Sequence, residues 1–213
     1  MNTLHVPYFD GTDVNTPLAE IDTLLLKHPP QFINNEPWPL PGQVPRVSFN
    51  IGYGADAVFL KFKVKEKHFK ADYTNTNDLV YKDSCVEFFF APDDSDSYYN
   101  FEFNAIGTGY AACGTPAKRE LLGVELMRGI RVAVSNKKTP EDELPVGWEI
   151  TLAIPFQTLF YHRLTSLKGK CCRANFYKCG DDMPWPHYLC WNNITSATPN
   201  FHLPQYFGQL IFG

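Results

Sequence analysis

The chain has 213 residues and a formal net charge of −4, with 17 Phe, 11 Tyr, 17 Pro and 14 Gly. That length suits one domain with a real core, and the acidic balance argues against a nucleic-acid footprint. No apolar run reaches membrane-spanning length, and residues 1–13 lack the basic and apolar regions of a signal peptide. Aromatic richness, many short apolar runs and frequent Pro and Gly predict an all-β fold, a two-sheet antiparallel β-sandwich with a short N-terminal helix. No internal repeat or linker divides the chain. It reads as a single domain over 1–213, with 1–45 an N-terminal extension packed on the sandwich.

Six cysteines are present, at 85, 113, 171, 172, 179 and 190. Cys171 and Cys172 are adjacent, and neighbouring strand residues point to opposite faces, so the two make a poor staple. Free, mostly buried thiols in a reducing, cytoplasmic compartment are expected. The alternative is one or two bridges in a periplasmic protein.

Taken in order, Thr16-Pro17 fits an N-cap followed by proline at the first helical position. Leu18, Ile21 and Leu25 then predict a short amphipathic helix ending near His28-Pro29-Pro30. Residues 29–45 are extended and Pro-rich, with Trp38 expected to plug the sandwich edge. Residues 46–52 read as a strand. Residues 57–66 alternate cleanly, with Val58, Leu60, Phe62 and Val64 inward and Lys61, Lys63 and Lys65 on a solvated outer face. Residues 71–77 are a polar loop.

Residues 79–110, LVYKDSCVEFFFAPDDSDSYYNFEFNAIGTGY, read as two strands joined by an acidic turn. If Val86, Phe88 and Phe90 share the core face with Tyr99, Phe101 and Phe103, paired numbers must sum to an odd value. Pairing Phe90 with Tyr99 places Glu87 opposite Glu102. Facing carboxylates are destabilising unless separated, bridged or protonated. Cys85, Phe89 and Asn104 share that face, which makes it a candidate ligand surface. The alternative is a solvated sheet face with the two glutamates splayed apart.

Beyond the hairpin, residues 115–128 read as a short helix or a crossing loop. Strands are expected over 130–135, 148–155, 172–177, 188–191 and 207–212. A charged surface loop is expected over 136–145, and a helical turn over 155–160. Residues 175–207, NFYKCGDDMPWPHYLCWNNITSATPNFHLPQYF, place aromatics and amides in irregular backbone. Sugar recognition uses such groups, since ring faces stack on pyranose C–H surfaces and amides bond hydroxyls. Trp191 reads as a core plug, whereas Trp185, between two prolines, is either a plug or a platform.

The motifs YKDSCVEFFF, YYNFEFNAIGT, WEITLAIPF, ANFYKCGDDMPWPHYLCW and FHLPQYFGQLIF, in that order, resemble the family 9 carbohydrate-binding modules, especially a group from Bacteroidetes. The resemblance covers residues 46–213. It implies a non-catalytic, jelly-roll-like sandwich that binds a saccharide and accompanies glycan-degrading enzymes. In that family two aromatic rings clamp a terminal sugar beside a glutamate. The matching positions are Tyr81 and Phe201 for the rings, usually Trp in the family, and Glu87 for the carboxylate. Asn104, Glu102 and Trp185 are expected as neighbours. Family members also bind structural calcium, for which Asp93, Asp94 and Asp96 are the oxygen-bearing candidates, a solvated acidic turn being the alternative.

Two other readings compete. Glu87 and Glu102 as an acid/base pair would make a glycoside hydrolase, since retaining enzymes hold their carboxyls roughly 5–5.5 Å apart. Cys179, Asp181, His187, Cys190 and His202 would supply a metal site, although their spacing matches no standard zinc pattern.

Overall fold

The computed structural model describes residues 1–137 and 146–213. Thirteen strands among them are β1 (Thr3–Val6), β2 (Gln31–Phe32), β3 (Arg46–Tyr53), β4 (Ala57–Glu66), β5 (Cys85–Ala91), β6 (Tyr98–Asn104), β7 (Gly109–Thr115), β8 (Lys118–Leu121), β9 (Arg131–Lys137), β10 (Val146–Pro155), β11 (Cys171–Cys179), β12 (Tyr188–Cys190) and β13 (Gly208–Phe212). Two helices, α1 (Leu18–Leu25) and α2 (Val124–Gly129), and short 3₁₀ turns at Val80–Lys82, Phe156–His162 and Pro204–Tyr206 complete the described elements.

The strands form two sheets. The larger has the order β1-β13-β11-β5-β6-β7-β8, with β12 added to β11, and the smaller has the order β2-β3-β4-β10-β9. All pairings are antiparallel except β1 on β13, which is parallel. The two short strands within residues 1–45 thus enter one sheet each as edge strands, β1 on β13 and β2 on β3. No helix is long and apolar enough to cross a membrane among the described residues.

The core lies between the sheets. Val86, Phe88 and Phe90 meet Tyr99, Phe101 and Phe103 there, as period-2 alternation requires. Phe49 of the smaller sheet stacks on Phe176 of the larger at 3.7 Å between centroids, a contact that binds the layers through aromatic area. Trp191 lies edge-on to both rings and is a core plug, as its strand context suggested.

Several local expectations are corrected. Pro17, not Thr16, is the N-cap of α1, and no side chain caps it; the Thr16 hydroxyl instead accepts the Asp13 amide. Lys61 is buried, not solvated, because α1 lies over this part of β4 and supplies Asp22 as its ion-pair partner; Glu149 is the second, at 2.8 Å. Residues 115–128 contain the short helix α2 that the sequence offered, and before it the strand β8, which it did not. The tight β7–β8 turn depends on Gly114, at φ +144°, where a Cβ would sit 2.1 Å from the Lys118 carbonyl oxygen. Residues 136 and 137 belong to β9, and the rest of the expected charged loop, 138–145, lies outside the described residues.

Candidate functional site

The outer face of the larger sheet carries the second set of alternating residues. In β5 and β6 these are Cys85, Glu87 and Phe89, and Tyr98, Asn100, Glu102 and Asn104. The register is Cys85↔Asn104, Glu87↔Glu102 and Phe90↔Tyr99, the one that pairing Phe90 with Tyr99 gives. This face is not solvated. Loop residues 191–207 and Trp38 close over it, and Phe89, Tyr98 and Tyr177 become the base of a second apolar cluster.

Within that cover lies a cavity of about 340 Å³. Tyr81, Glu87, Glu102 and Phe201, four of the six ligand-binding positions expected from the sequence, line it together. Tyr110, Tyr188, Phe89 and His202 add aromatic surface, and Asn100, Arg119, Asp181 and Asn200 add polar groups.

Tyr81 sits on the 3₁₀ turn Val80–Lys82. Fully buried Asp83 fixes that turn by accepting the Tyr73 amide at 3.0 Å, Asn104 Nδ2 at 3.0 Å and Lys70 Nζ at 3.2 Å. The Tyr81 carbonyl in turn accepts the Asp181 amide at 3.1 Å. Asn104 therefore supports the turn and does not line the cavity. Its Oδ1 accepts the Ile106 and Thr108 amides, so its hydrogen-bonding groups are used internally. Trp185 also lies apart from the cavity, packed on His68 with Lys67 Nζ 4.4 Å from its ring centroid.

Phe201 is held by other rings. It stacks on Tyr177 at 4.1 Å and 12° and meets Trp38 at 6.0 Å. Trp38 is packed behind Phe201 and does not line the cavity, and its indole N–H donates to the Ser196 carbonyl at 2.8 Å.

The two glutamates are almost fully buried, at 3% and 4% exposure. Glu87 Oε1 accepts the Cys179 thiol at 3.0 Å, and Glu102 Oε1 accepts Asn100 Nδ2 at 2.7 Å. Glu102 Oε2 is buried without a hydrogen-bond partner. Burial raises Glu102 to about 7, against the opposing pull of Asn100 and Arg119. Glu87 is pushed well above the usual carboxylate range by burial first, then by Cys179 and Glu102. Asp181 rises to about 6 through burial and its neighbour Asp182. Burying carboxylates beside each other disfavours the charged forms.

Arg119 balances little of this, because its donors are committed. They reach Asn100 Oδ1 and the carbonyls of Gly114, Tyr98 and Ala112, while the guanidinium lies 4.0 Å from the Tyr98 ring centroid. It ties β6, β7 and β8 together beneath the cavity. Arg119, Tyr110 and Asn100 escape the sequence reading. Asn100 was within reach, two residues before Glu102 on the same strand face, but nothing marked residues 109–121 as strands.

The expected metal sets do not assemble. Asp93, Asp94 and Asp96 are exposed in the β5–β6 turn, and Asp93 turns its carboxylate to the Ser95 amide of the same turn. His187 bonds Lys178 Nζ, and His202 bonds the Tyr98 hydroxyl, each at 2.8 Å, so neither joins Cys179. Among the described residues, one group of donors is close enough to share an ion: Cys85, Glu87 and Cys179.

A half-open, ring-lined cavity on one face of a two-layer sandwich has the shape of a small-molecule site. Residues 20–212 match carbohydrate-binding family 9, and the chain belongs to that family, whose members are non-catalytic binding modules. The enzyme alternative drawn from the glutamate pair falls with that membership. A Bacteroides uniformis ATCC 8492 protein described as a candidate carbohydrate-binding protein is 32% identical, at a TM-score of 0.91 over 99% of both chains. A family 9 module from Caldicellulosiruptor kristjanssonii, solved with glucose, shares the fold at 11% identity and a TM-score of 0.64, over 100% of this chain and 96% of its own. A family 9 module from the same organism solved with cellotriose gives 12% and 0.59, over 99% and 93%. No curated protein matches.

Proposed function

We propose that the cavity holds one terminal residue of a saccharide, bound without chemical change. The observation that carries this reading is the convergence of Tyr81, Glu87 and Phe201, up to 120 positions apart in sequence, on one cavity of a family 9 chain. Tyr81 and the free surface of Phe201 offer apolar platforms for the C–H faces of a pyranose. The glutamates offer hydroxyl partners. A carboxyl carrying its proton donates one hydrogen bond and accepts others, while an ionised one only accepts, so the pair can serve both ends of a sugar hydroxyl. The volume lies near the lower end of the roughly 300–1,000 Å³ of small-molecule sites, which suits a sugar ring better than a long chain segment.

The test is a glycan array followed by calorimetry, beginning with glucose and cello-oligosaccharides because related folds were solved with glucose and cellotriose. Leaving a buried hydrogen-bonding group without a well-placed partner costs roughly 1–3 kcal/mol. Glu87→Gln should therefore weaken binding about ten-fold or more. A bound glycan whose affinity is unchanged in both Glu87→Gln and Tyr81→Ala would move the site elsewhere.

A further inference from the structure

Cys85 and Glu87 are two residues apart on β5 and share the outer face of the larger sheet, and Cys179 lies opposite Cys85 in register on β11. All three side chains are buried, and their donor atoms lie within 4.8 Å of one another. Cys179 and Glu87 line the cavity, so the group has access to solvent from one side. We propose that Cys85, Glu87 and Cys179 bind a thiophilic divalent cation, zinc by the chemistry of their donors, with its fourth position facing the cavity.

The donor set decides the metal. Two sulfurs and one oxygen suit zinc, whereas calcium and magnesium take oxygen shells. Three protein ligands with one open position is the arrangement of zinc sites that admit an outside ligand. Tetrahedral zinc with sulfur at about 2.3 Å and carboxylate oxygen at about 2.1 Å needs donors roughly 3.6–3.8 Å apart. The Cys179–Glu87 contact, at 3.0 Å, has to open slightly, while the 4.8 Å limit on the group leaves the rest within reach.

Packing alone gives a poor account of this group. A carboxyl buried against two thiols has only weak sulfur donors beside it, and an apolar side chain would fill the space at lower cost. The Cys85 thiol finds only weak partners, the Val86 carbonyl at 3.6 Å and the Cys179 sulfur. All three ligands stand on two paired central strands, at the end where Cys85 begins β5 and Cys179 ends β11, and the pairing holds them in place before a metal arrives. On binding, the two thiols release their protons to water, as does Glu87 where it carries one, and no electron is transferred.

The experiment uses the full chain, reduced, stripped with a chelator and titrated with cobalt(II) in the absence of sugar. One equivalent should produce sulfur-to-cobalt charge-transfer absorption and tetrahedral d–d bands, and zinc should displace it. Loss of an outer-shell partner alone typically costs roughly 10–100-fold in affinity, so Cys85→Ser and Cys179→Ser should each cost about 100-fold or more. Cys171→Ser, at an exposed position, should change nothing. Glu87→Gln keeps both sulfurs and should weaken cobalt binding at least ~10-fold, which decides the matter if the serine variants do not fold. The proposal is overturned if no charge-transfer band forms at equimolar cobalt, if it survives in both serine variants, or if Glu87→Gln binds as wild type. None of these outcomes touches the saccharide reading, which is measured separately with sugar.

Discussion

Glu102 faces Glu87 directly across the β5–β6 pair, and one of its oxygens is buried with no hydrogen-bond partner. A sheet optimised for stability alone would not carry this pair. Like groups opposite one another repel, and burial adds the cost of removing charge from water. In a binding cavity the same cost is useful, because an unsatisfied oxygen is an acceptor that a ligand's hydroxyl can satisfy.

That relationship makes stability depend on pH at Glu102. Its folded-state value, about 7, exceeds the ordinary 4.5. Below 4.5 both states hold the proton and the residue is neutral to stability. As pH rises toward 7 the unfolded chain ionises first, so the native state loses stability, and above 7 the full cost is present. Glu102→Gln should therefore match wild type near pH 4 and exceed it near pH 8 by on the order of 3 kcal/mol. Urea unfolding of both proteins at the two pH values measures this. A variant no more stable at pH 8 than wild type would show that the carboxyl is not strained.

Much of this arrangement is legible in the residues themselves. The two alternating sets from Cys85 to Phe90 and Tyr98 to Phe103 keep Val86 and the five core rings together when paired numbers sum to an odd value, and of those registers the one that pairs Phe90 with Tyr99 places the glutamates face to face. What alternation does not report is what covers a face. Lys61 reads as solvated because nothing local says that α1 will lie over it. Arg119 reads as part of a helix or loop because its strand is four residues long and is formed by pairing with β7, not by pattern. Trp38 and Phe201 are 163 positions apart, and only the closed fold brings them into contact.

Phe201 is placed to bind and to hold its own loop. Its stacking on Tyr177, at 4.1 Å, gives it a structural part that a simple loop platform would lack. Phe201→Ala should both weaken saccharide binding and lower stability, by about 1–2 kcal/mol, since paired rings contribute beyond their buried area. Tyr81→Ala should weaken binding with a smaller loss of stability, because its turn is fixed by Asp83 and by backbone bonds. Equal stability losses in the two variants, measured by thermal unfolding beside the binding titrations, would contradict this division.

The six cysteines are free thiols, and Cys171 is the exposed one. In the folded protein a thiol reagent should modify Cys171 quickly and the buried five slowly. Burial also raises Cys85, Cys172 and Cys190 to about 12, so little reactive thiolate is present at neutral pH. Denaturation without reductant should release all six. A count below six in protein kept from oxidants would reveal a bridge and favour the periplasmic alternative.

Lys61 offers the sharpest test of how α1 is held. Its ammonium, in a side chain only 5% exposed, lies between Asp22 of α1 and Glu149 of β10. Thr151 also donates to Asp22, at 2.9 Å. Removing the cation leaves two partly buried carboxylates side by side without it, and breaking a fully buried pair costs roughly 3–5 kcal/mol. The partners here are 29% and 23% exposed, so water recovers part of that. Lys61→Met, which keeps the length of the stem, should cost about 2 kcal/mol. Adding Asp22→Leu should return some of the loss, since the second change removes one of the two carboxylates that faced the cation. Denaturant unfolding of the two single variants and the double variant gives the coupling. If Lys61→Met costs less than ~0.5 kcal/mol, the ordinary range for surface changes, the residue is solvated after all and α1 is held by its apolar face alone.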